Sequence, residues 1–561
     1  MTTQSFASIA PSAPDYDELS QRTEAVRGAL SEARDTESAM RAVKQWDELR
    51  SEVGTWDALV HLRFHQDTRD SERKAAREAW DDLRPRWTEL EISVKRALLD
   101  HPLRAELVER IGAQAFALWE SDALAFDPAL VDDLVREAKL EAEYTELLAS
   151  AEFEFRGESE TLTTMIRHNQ SADRQVRYDA TRQVWDWFGA QRADLDRIYD
   201  ELVRLRAGMA RKLGMRDFVE LGYKRMCRVD YGREDVERFR AQIRDEIVPL
   251  CVELRERQRK DLGLERLMAW DVPVHDLSGN PKPKGDLPWM LDRSGEMFAA
   301  MGGELSAFWS GMREGGFLDL DSRKGKAGGG FCTSFPTHGM PFVFANFNGT
   351  KGDVEVLTHE MGHAFQNFSS REQWPSDYHW PTYESAEVHS MSLEFLTWPH
   401  MDAFFQEDAD RFRRVHLSEA ITFLPYGTAV DHFQHEVYER PELSPEERCA
   451  VWQEMERTYL PWLDWGDLER PAMGGRWQRQ THIYSSPFYY IDYVLAQTCA
   501  LQFWALAEDE RQQALEAYVA LCGRGGSLPF QALVRSAGLT SPFDAGCLSA
   551  VVERARASMA G

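Results

Sequence analysis

Residues 353–368 read DVEVLTHEMGHAFQNF, a segment whose apolar residues recur at steps of three and four. Such spacing places side chains on one face of an α-helix. That face would consist of Val354, Leu357, Met361, Ala364, Phe365 and Phe368. Because His359 and His363 are four residues apart, both imidazoles project from the same side of the helix, one turn apart. The pattern therefore predicts an amphipathic helix that presents two histidines together.

The spacing of His359 and His363 suits zinc, which can take two nitrogen ligands from one helical face. Glu360 follows the first histidine and is placed to activate a water molecule held by the metal without binding the metal itself. A chance H-E-x-x-H would usually lie on an exposed helix with two solvated histidines. Here the motif lies on an apolar helix directly after a predicted strand, which favours metal binding.

A catalytic zinc site needs a third protein ligand and an open position for water. The segment PTYESAEVHSMSLEFLTW (381–398) follows the first helix and is itself predicted to be helical. It offers Glu384, Glu387, Glu394 and His389 as candidates. A carboxylate from this segment would complete a site of two histidines and one glutamate, but spacing alone does not choose among the candidates.

Helical patterning extends on both sides of this region. Segments rich in Glu, Arg, Leu and Ala fill about 16–266, and helical patterning returns after Asp353. Between them, PFVFANFNGT (341–350) predicts a short strand that ends in an Asn-Gly turn. We expect a mainly α-helical protein with a small β-sheet near residue 340. Residues 1–190 are expected to form an N-terminal helical lobe or lid, and residues 191–561 a catalytic domain.

Composition limits the partners of this chain. Its 94 acidic and 66 basic residues give a formal charge of −28, which repels nucleic-acid phosphates and anionic membranes. The seven cysteines are scattered, so we expect neither a disulfide framework nor a cysteine zinc site. The first residues do not have the pattern of a secretory signal, and no stretch approaches the about 20 apolar residues of a membrane helix. We expect a cytoplasmic protein; its oligomeric state is not predicted.

Three blocks of sequence resemble one family of zinc metallopeptidases. They are PFVFANFNGTKGDVEVLTHEMGHAFQ (341–366), ESAEVHSMSLEF (384–395) and HIYSSPFYYIDYVLAQ (482–497). In this order they resemble the thimet oligopeptidase and oligoendopeptidase F family, and most of all its short bacterial, Pz-peptidase-like members. The resemblance is specific over about 320–530. It implies two helical lobes around a deep channel, with the small sheet beside a zincin-type helix.

The resemblance also implies which residues hold the metal. The family's third ligand is the first glutamate of an E-x-x-S-x-x-x-E pattern, which is Glu387 here, and the site would bind one Zn²⁺ per chain. Glu394, about two turns further on, would orient a ligand imidazole. Of the other candidates, Glu384 is expected to be a solvated surface carboxylate and His389 an ordinary packed histidine.

For the oxyanion that forms during peptide hydrolysis, the family uses a histidine followed shortly by two tyrosines. The matching residues are His482, Tyr490 and Tyr493, with the three-residue tyrosine spacing of the family. Such donors stabilise charge as it develops in the transition state. The interval from histidine to tyrosine is one residue shorter here than in the thimet branch, so Tyr489 remains an alternative to Tyr490.

Substrate contacts are predicted in three places. The strand near residue 344 is expected to pair with an extended peptide, and two glycine-rich segments are expected to contact substrate or gate the cleft. The candidate substrate-binding residues are Phe344, Ala345, Asn346, Gly329, Gly330, Gly474, Gly475 and Tyr489. Phe347 and Phe488 are further candidates for subsites, with core packing as the alternative.

The function implied by the resemblance is zinc-dependent cleavage of internal bonds in short unfolded peptides, an oligoendopeptidase activity. Two alternatives stay open. One is a carboxypeptidase or dipeptidyl carboxypeptidase on a similar scaffold, which would need a cationic group to hold the substrate C-terminus. The other is a catalytically silent peptide-binding protein.

Overall fold

Long runs with few helix breakers fold into helices along most of the chain, as the computed structural model describes for residues 5–323 and 325–560. Aspartates cap the first three helices: the side chains of Asp15, Asp35 and Asp70 accept hydrogen bonds from backbone N–H groups of the first turn. The N-terminal helices are α1 (Tyr16–Glu32), α2 (Thr36–Gln66), α3 (Ser71–Leu99), α4 (Arg104–Ile111), α5 (Ala113–Ala125) and α6 (Val131–Ala149).

A short hairpin and a second group of helices follow. The hairpin strands are β1 (Glu152–Phe155) and β2 (Glu158–Thr161). The helices are α7 (Ile166–Asn169), α8 (Arg174–Ala190), α9 (Arg192–Lys212), α10 (Phe218–Arg225), α11 (Arg233–Gln242), α12 (Val248–Asp261), α13 (Leu287–Met301) and α14 (Gly303–Gly315). Three strands then form the second sheet: β3 (Leu318–Asp321), β4 (Phe331–Phe335) and β5 (Met340–Phe347).

Helices make up the remaining part of the chain. They are α15 (Lys351–Ser370), α16 (Tyr383–Leu396), α17 (Asp402–Phe405), α18 (Ala409–Glu439), α19 (Pro445–Tyr459), α20 (Glu469–Ala472), α21 (Thr481–Ser485), α22 (Tyr490–Arg524), α23 (Phe530–Ser536) and α24 (Cys547–Ala560). The prediction of a mainly α-helical protein with a small sheet near residue 340 is confirmed. Among the described helices, none combines the length and the apolar character that crossing a bilayer requires.

Hydrophobic packing divides the chain earlier than expected. Helices α1–α5 contain two cores of their own, one of which includes Trp46 and Trp119 with ring centroids 5.4 Å apart. Most buried hydrophobic side chains from Leu130 onward join the large core that also holds the helices of the predicted catalytic region. Leu59 and Leu62 of α2 belong to this large core as well, and Tyr378 belongs to the small core that contains Trp46. The lobe boundary near residue 190 stays a prediction, whereas the change in packing lies near residue 130.

The second sheet has the order β3–β5–β4. Its central strand β5 pairs in parallel with β3 and antiparallel with β4. The strand expected at 341–348 is therefore present, with β4 paired along residues 340–344 and β3 along residues 343–347. Because β5 is the central strand, the free edge of the sheet is the outer edge of β4, which does not favour the expectation that Phe344, Ala345 and Asn346 pair with substrate.

Helices α15 and α16 pack at very short range where they pass each other. A Cβ atom built on Gly362 would lie 2.6 Å from the carbonyl oxygen of His389 and 2.6 Å from the Cα of Ser390. Real Cβ atoms do not approach backbone atoms this closely, so only glycine permits the observed spacing. Gly362 directly precedes His363, and thus this contact sets the distance between the two predicted ligand helices.

Replacing Gly362 by alanine should push α15 and α16 apart. We expect G362A to lower the free energy of unfolding by about 1–3 kcal/mol, the usual penalty for overpacking a rigid core. Chemical denaturation measures this effect. As a control, Gly28 lies in α1 with nothing within 4 Å of an added Cβ, so G28A should stabilise the protein by about 0.5–1 kcal/mol. Equal unfolding free energies for G362A and the parent chain would contradict the packing argument.

Candidate metal centre

The structure brings His359, His363 and Glu387 together. The Nε2 atoms of the two histidines lie 3.3 Å and 3.5 Å from Oε2 of Glu387. All three candidate ligand atoms lie within 4.8 Å of one another. The histidines come from successive turns of α15 and the glutamate from the facing side of α16. One divalent ion fits between these atoms, and a set of two imidazoles and one carboxylate is a common zinc ligand set.

The electrostatics of the three side chains are strongly coupled. Burial on its own would raise the pKa of Glu387, but the facing imidazoles of His363 and His359 lower it well below its usual value. Burial opposes the charged form of His359 as well, yet hydrogen bonds to Glu387 and Glu394 raise the pKa of that imidazole. Glu387 is thus held as a carboxylate, the form that binds metal.

Glu394 lies behind the first histidine. Its Oε1 atom is 2.7 Å from Nδ1 of His359, and its Oε2 atom is 2.8 Å from Nε2 of His416. Although burial opposes ionisation, these imidazoles lower the pKa of Glu394 to about 2. The indole of Trp398 in turn donates to Nδ1 of His416 at 3.0 Å. This chain of contacts fixes the orientation of His359, which leaves Nε2 directed toward the ligand cluster.

Glu360 occupies the same helix but has different surroundings. Its side chain is only 7% exposed, and Oε2 has no hydrogen-bond partner among the described residues. Burial raises the pKa of this carboxyl group. Across from it, a Cβ on Gly330 would lie 3.5 Å from Oε1. Glu360 is therefore a desolvated carboxylate next to the residue that precedes edge strand β4.

Two tyrosines complete the wall on the other side. The phenol of Tyr489 donates to Oε1 of Glu387 at 2.7 Å, and the ring of Tyr493 lies 4.8 Å from that of Tyr489. Burial and Glu387 both raise the pKa of each phenol, so both remain hydrogen-bond donors at neutral pH. Both side chains line the cavity at the ligand cluster.

Tyr490 does not line the cavity, although its ring also lies near His482, with the centroids 5.0 Å apart. Its ring packs against Phe423 and Tyr426, with centroids 5.8 Å away in each case, and it is not among the described residues that line the cavity. The preference for Tyr490 over Tyr489 is therefore not supported by the geometry. The cavity receives residues 489 and 493, four apart on one helical face, rather than residues 490 and 493.

His482 lies beside the two tyrosines. Its ring centroid is 5.8 Å from that of Tyr489 and 5.8 Å from that of Tyr493. Nδ1 is 2.8 Å from the side-chain nitrogen of Gln480. Burial lowers the pKa of His482, so the neutral imidazole is favoured near neutral pH. The structure thus brings His482 to the edge of the site rather than into the ligand cluster.

The cavity at this cluster has a volume of about 650 Å³. Helix α5, the turn after α10, the start of β4 and helices α15, α16 and α22 all contribute to its wall. Several wall residues could not be predicted from the sequence, because they follow no motif and come from distant parts of the chain. They include Leu118, Asp122, Met226, Cys227, Trp380 and Tyr383.

Among the predicted substrate-binding residues, only Gly330 and Tyr489 line this cavity. Phe344 and Ala345 are fully buried in the sheet. The amide of Asn346 donates to the carbonyls of Ala327 and Gly329, and thereby holds the loop before β4.

The second predicted glycine segment also lies away from the cavity wall. A Cβ on Gly474 would meet the carbonyl of Cys449, and one on Gly475 would meet the side chain of Arg470. These two glycines permit close packing beside α19 and α20, so the prediction that they contact substrate is wrong. Phe488, a further candidate for a subsite, is fully buried.

The two remaining candidates of α16 are both buried. His389 is fully enclosed, as expected for a packed histidine, and its Nδ1 lies 2.6 Å from the carbonyl of Ser385. Glu384 is only 1% exposed, so the expectation of a solvated surface carboxylate is wrong. Burial and the nearby Asp492 raise the pKa of Glu384 to about 8. Neither residue belongs to the ligand cluster.

Comparison with known protein families gives matches along most of the chain. Residues 6–126 match the Peptidase M3 N-terminal domain, and residues 167–284 and 298–553 match Peptidase family M3. A curated relative, an oligoendopeptidase F homolog from Borreliella burgdorferi, is 22% identical over 293 residues. That alignment covers 50% of this chain, and the chain spans about half, 48%, of the relative.

Solved structures match over nearly the whole chain. A structure of Pz peptidase A with an inhibitor is 42% identical, with a TM-score of 0.95 and 99% of each chain covered. A Bacillus anthracis (strain Ames) protein provisionally assigned to oligoendopeptidase F is 42% identical, with a TM-score of 0.90, covering 100% of this chain and 99% of the other. The expected resemblance to this family is confirmed.

Glu394 should control metal affinity through His359. We expect E394Q to weaken zinc binding by about 10–100-fold, because the variant loses the negative charge that holds and polarises the ligand imidazole. Competition with a chromogenic chelator measures this change. The same substitution at Glu372, whose side chain is 89% exposed, serves as the control and should leave the affinity unchanged. Equal zinc affinities for E394Q and E372Q would contradict the assigned role.

Proposed function

Because this chain belongs to peptidase family M3 and is therefore a peptidase, we propose that it is a zinc-dependent oligoendopeptidase that cleaves internal bonds of short unfolded peptides. The observation that carries the proposal is the convergence of His359, His363 and Glu387 beside the desolvated carboxylate of Glu360. All four side chains line one cavity, which also reaches the edge of a β-strand.

The donor set supports zinc as the metal. Two imidazole nitrogens and one carboxylate oxygen would hold a single Zn²⁺ and leave a position open toward the cavity. When bound, zinc would lower the pKa of water and polarise the scissile carbonyl. Glu394 keeps Nε2 of His359 directed at the site through its contact with Nδ1.

Glu360 is the proposed general base. Its carboxylate would take a proton from the attacking water and later pass it to the leaving amine. Because burial raises the pKa of this carboxyl group, it is a stronger proton acceptor than a solvated glutamate would be. The residue next to Oε1 of Glu360 is Gly330, which has no side chain to cover the carboxylate.

Hydrogen-bond donors for the developing oxyanion would come from the opposite wall. Tyr493 lines the cavity and keeps its proton at neutral pH. Tyr489 has a different proposed role, since its phenol already donates to Glu387 and so holds the ligand carboxylate in place. His482, next to both, is proposed as a second donor to the oxyanion.

Edge strand β4 is the proposed platform for the peptide. Gly330, Phe331 and Cys332 at the start of this strand line the cavity, and the outer edge of β4 has no partner strand in the described sheet. A peptide could add to this edge through backbone hydrogen bonds, which are indifferent to side chains. Broad sequence specificity would follow.

The charged residues that line the cavity favour cleavage of internal bonds over carboxypeptidase activity. The described residues that line the cavity include no lysine or arginine to bind a terminal carboxylate. Two cations behind the wall are already paired with carboxylates of the wall itself: Arg50 pairs with Asp377 at 2.6 Å, and Lys95 pairs with Asp122 at 2.8 Å. A free C-terminus would therefore meet carboxylates rather than a cation.

Replacing the base should stop the reaction without removing the metal. We expect E360Q to retain zinc but to lose about 10²–10⁴-fold in kcat, the range attributed to general acid–base catalysis. A quenched fluorescent peptide measures turnover, and metal analysis measures zinc. Chelation should abolish the activity of the parent enzyme, and added zinc should restore it.

A matched control lies on the same helix. Glu355 is paired with Lys351 and does not line the cavity, so E355Q should change stability but not kcat. Near-normal cleavage by E360Q, or by the chelated parent enzyme, would contradict the proposal.

The state of the substrate C-terminus distinguishes the two peptidase modes. We expect a peptide with a C-terminal amide to be cut at the same internal bond, and with similar kcat/KM, as the same peptide with a free carboxylate. Mass spectrometry of the products locates the bond. Loss of cleavage upon amidation, or release of one or two residues from the C-terminus alone, would favour a carboxypeptidase instead.

A further inference from the structure

A chain of hydrogen bonds from Tyr426 through Gln480 reaches Nδ1 of His482. The hydroxyl of Tyr426 in α18 lies 2.7 Å from Oε1 of Gln480, and Nε2 of Gln480 lies 2.8 Å from Nδ1 of His482. Both distances are those of well-formed hydrogen bonds. Tyr426 comes from α18, Gln480 directly precedes α21, and His482 is the second residue of α21.

The direction of these bonds follows from the donor capacity of each group. Burial raises the pKa of Tyr426, so its phenol stays protonated at neutral pH and can donate a hydrogen bond to Oε1 of Gln480. The amide of Gln480 must then turn its NH₂ group toward His482. Because that NH₂ group can only donate, Nδ1 of His482 must accept and therefore carries no proton.

Arg476 favours the same direction for the hydrogen bond between Tyr426 and Gln480. Its guanidinium lies over the ring of Tyr426, 4.4 Å from the centroid. A cation on the ring face makes the phenol oxygen a poorer acceptor and its O–H group a better donor. Arg476 is itself held near Glu456 at 3.5 Å. The reverse arrangement, in which the phenol accepts from the Gln480 amide, is therefore disfavoured.

A neutral imidazole with an unprotonated Nδ1 must carry its proton on Nε2. The Nε2 atom of His482 makes no hydrogen bond to the described residues, and the side chain is only partly buried. Groups close to the ring are Tyr489, Tyr490 and Tyr493, and the carboxylate that acts on it is Glu387. Nε2 is therefore a free donor next to the wall where the oxyanion would form.

We propose that Gln480, anchored by Tyr426, is a positioning residue that holds neutral His482 as its Nε2–H tautomer, so that this imidazole can act only as a hydrogen-bond donor to the substrate. The inference rests on the proposed peptidase mechanism for its catalytic consequence, but not for the tautomer itself. Without such a partner, an imidazole could present either an N–H group or a lone pair to the carbonyl oxygen, and only the N–H group stabilises negative charge.

The sharpest variant is Gln480→Glu, which keeps the shape of the side chain but replaces the donor by a carboxylate. Glutamate can only accept from Nδ1, so the neutral ring must move its proton from Nε2 to Nδ1. A carboxylate partner also raises the pKa of the imidazole. Below that pKa both nitrogens are protonated and the Nε2–H donor returns; above it the donor is lost.

The tautomer can be read directly in the zinc-loaded enzyme. Histidine labelled with ¹³C at Cδ2 gives signals whose chemical shifts differ between the two neutral tautomers, and loss of one signal in H482A assigns it. We expect the Nε2–H shift in the parent enzyme and the Nδ1–H shift in Q480E at alkaline pH. An Nδ1–H shift in the parent enzyme, or the same shift in Q480E, would overturn the proposal.

Kinetics supply the second measurement. We expect Q480E to lose about 10²-fold in kcat at alkaline pH, as for one missing oxyanion donor, with little change in KM. The ratio of variant to parent kcat should rise as the pH falls through the raised pKa of His482. A purely structural defect would lower this ratio equally at all pH values, and that result would also overturn the proposal.

Two further variants keep the test decisive if Q480E folds poorly. Y426F removes the hydroxyl that holds the Gln480 amide, so the amide can rotate. The His482 signal should then report both tautomers, and kcat should fall severalfold. A signal from the parent tautomer alone would contradict the role of Tyr426. Thr481 serves as the control, because its hydroxyl lies 3.5 Å from Nδ1 of His482, too far for a strong bond. T481V should keep the parent tautomer and kcat.

Failure of this inference differs from failure of the proposed function. If chelation or E360Q leaves turnover intact, the peptidase mechanism is wrong whatever the tautomer of His482. If those tests succeed but H482A turns over normally, the catalytic part of the present inference is overturned while the metal mechanism stands.

Discussion

The close contact between α15 and α16 is the constraint on which the site depends. At Gly362 the two helices pass with no side chain between them, since any Cβ there would meet the backbone of His389 and Ser390. This spacing lets the short side chain of Glu387 reach both imidazoles, 3.3 Å and 3.5 Å away. With a larger residue at 362, the ligands would still be present in the sequence but too far apart to share one ion.

The same contact brings an unusual amount of charge into a dry environment. Three carboxylates, Glu360, Glu387 and Glu394, lie within or next to the cluster, and imidazoles are the groups facing them that can carry positive charge. The hydroxyls of Tyr489 and Ser390 add neutral hydrogen bonds to Glu387. Burying carboxylates is unfavourable unless they are paired. The raised pKa of His359 shows that protonated imidazoles can supply the compensating charge. A divalent cation between His359, His363 and Glu387 would supply that charge instead, and this need for positive charge does not depend on the H-E-x-x-H motif.

The parts of the site that depend on local periodicity could be predicted from the sequence. The helical spacing of His359 and His363 predicted their shared face, and the resemblance selected Glu387 and Glu394 from four candidates. The positions that depend on long-range packing could not be predicted in this way. His416 completes the contact behind Glu394 but comes from a distant helix with no motif. Strand β5 was predicted correctly, yet its central position in the sheet depends on where β3 and β4 pair, which no local pattern states.

Tyr489 and Tyr490 show the same difference between what local spacing predicts and what long-range packing determines, within a single turn of helix. Each residue rotates the side-chain direction by about 100°, so the start of α22 decides which tyrosine faces Glu387 and the other candidate ligands. That start is fixed by Arg228, which bonds to the carbonyl of Phe488 and, at 2.8 Å, to Asp492.

Phe488 adopts a φ of +70°, which a side chain rarely tolerates, and its ring fills the space left by Gly222, where a Cβ would lie 2.4 Å away. Tyr489 and Tyr493 then share the face toward Glu387, while Tyr490, which is partly buried, packs against Phe423 and Tyr426. Arg228 and Gly222 both lie more than 250 residues before the tyrosines they orient. The spacing between His482 and the tyrosines therefore cannot predict which tyrosine faces Glu387, because the interactions of Arg228 and Gly222 determine it.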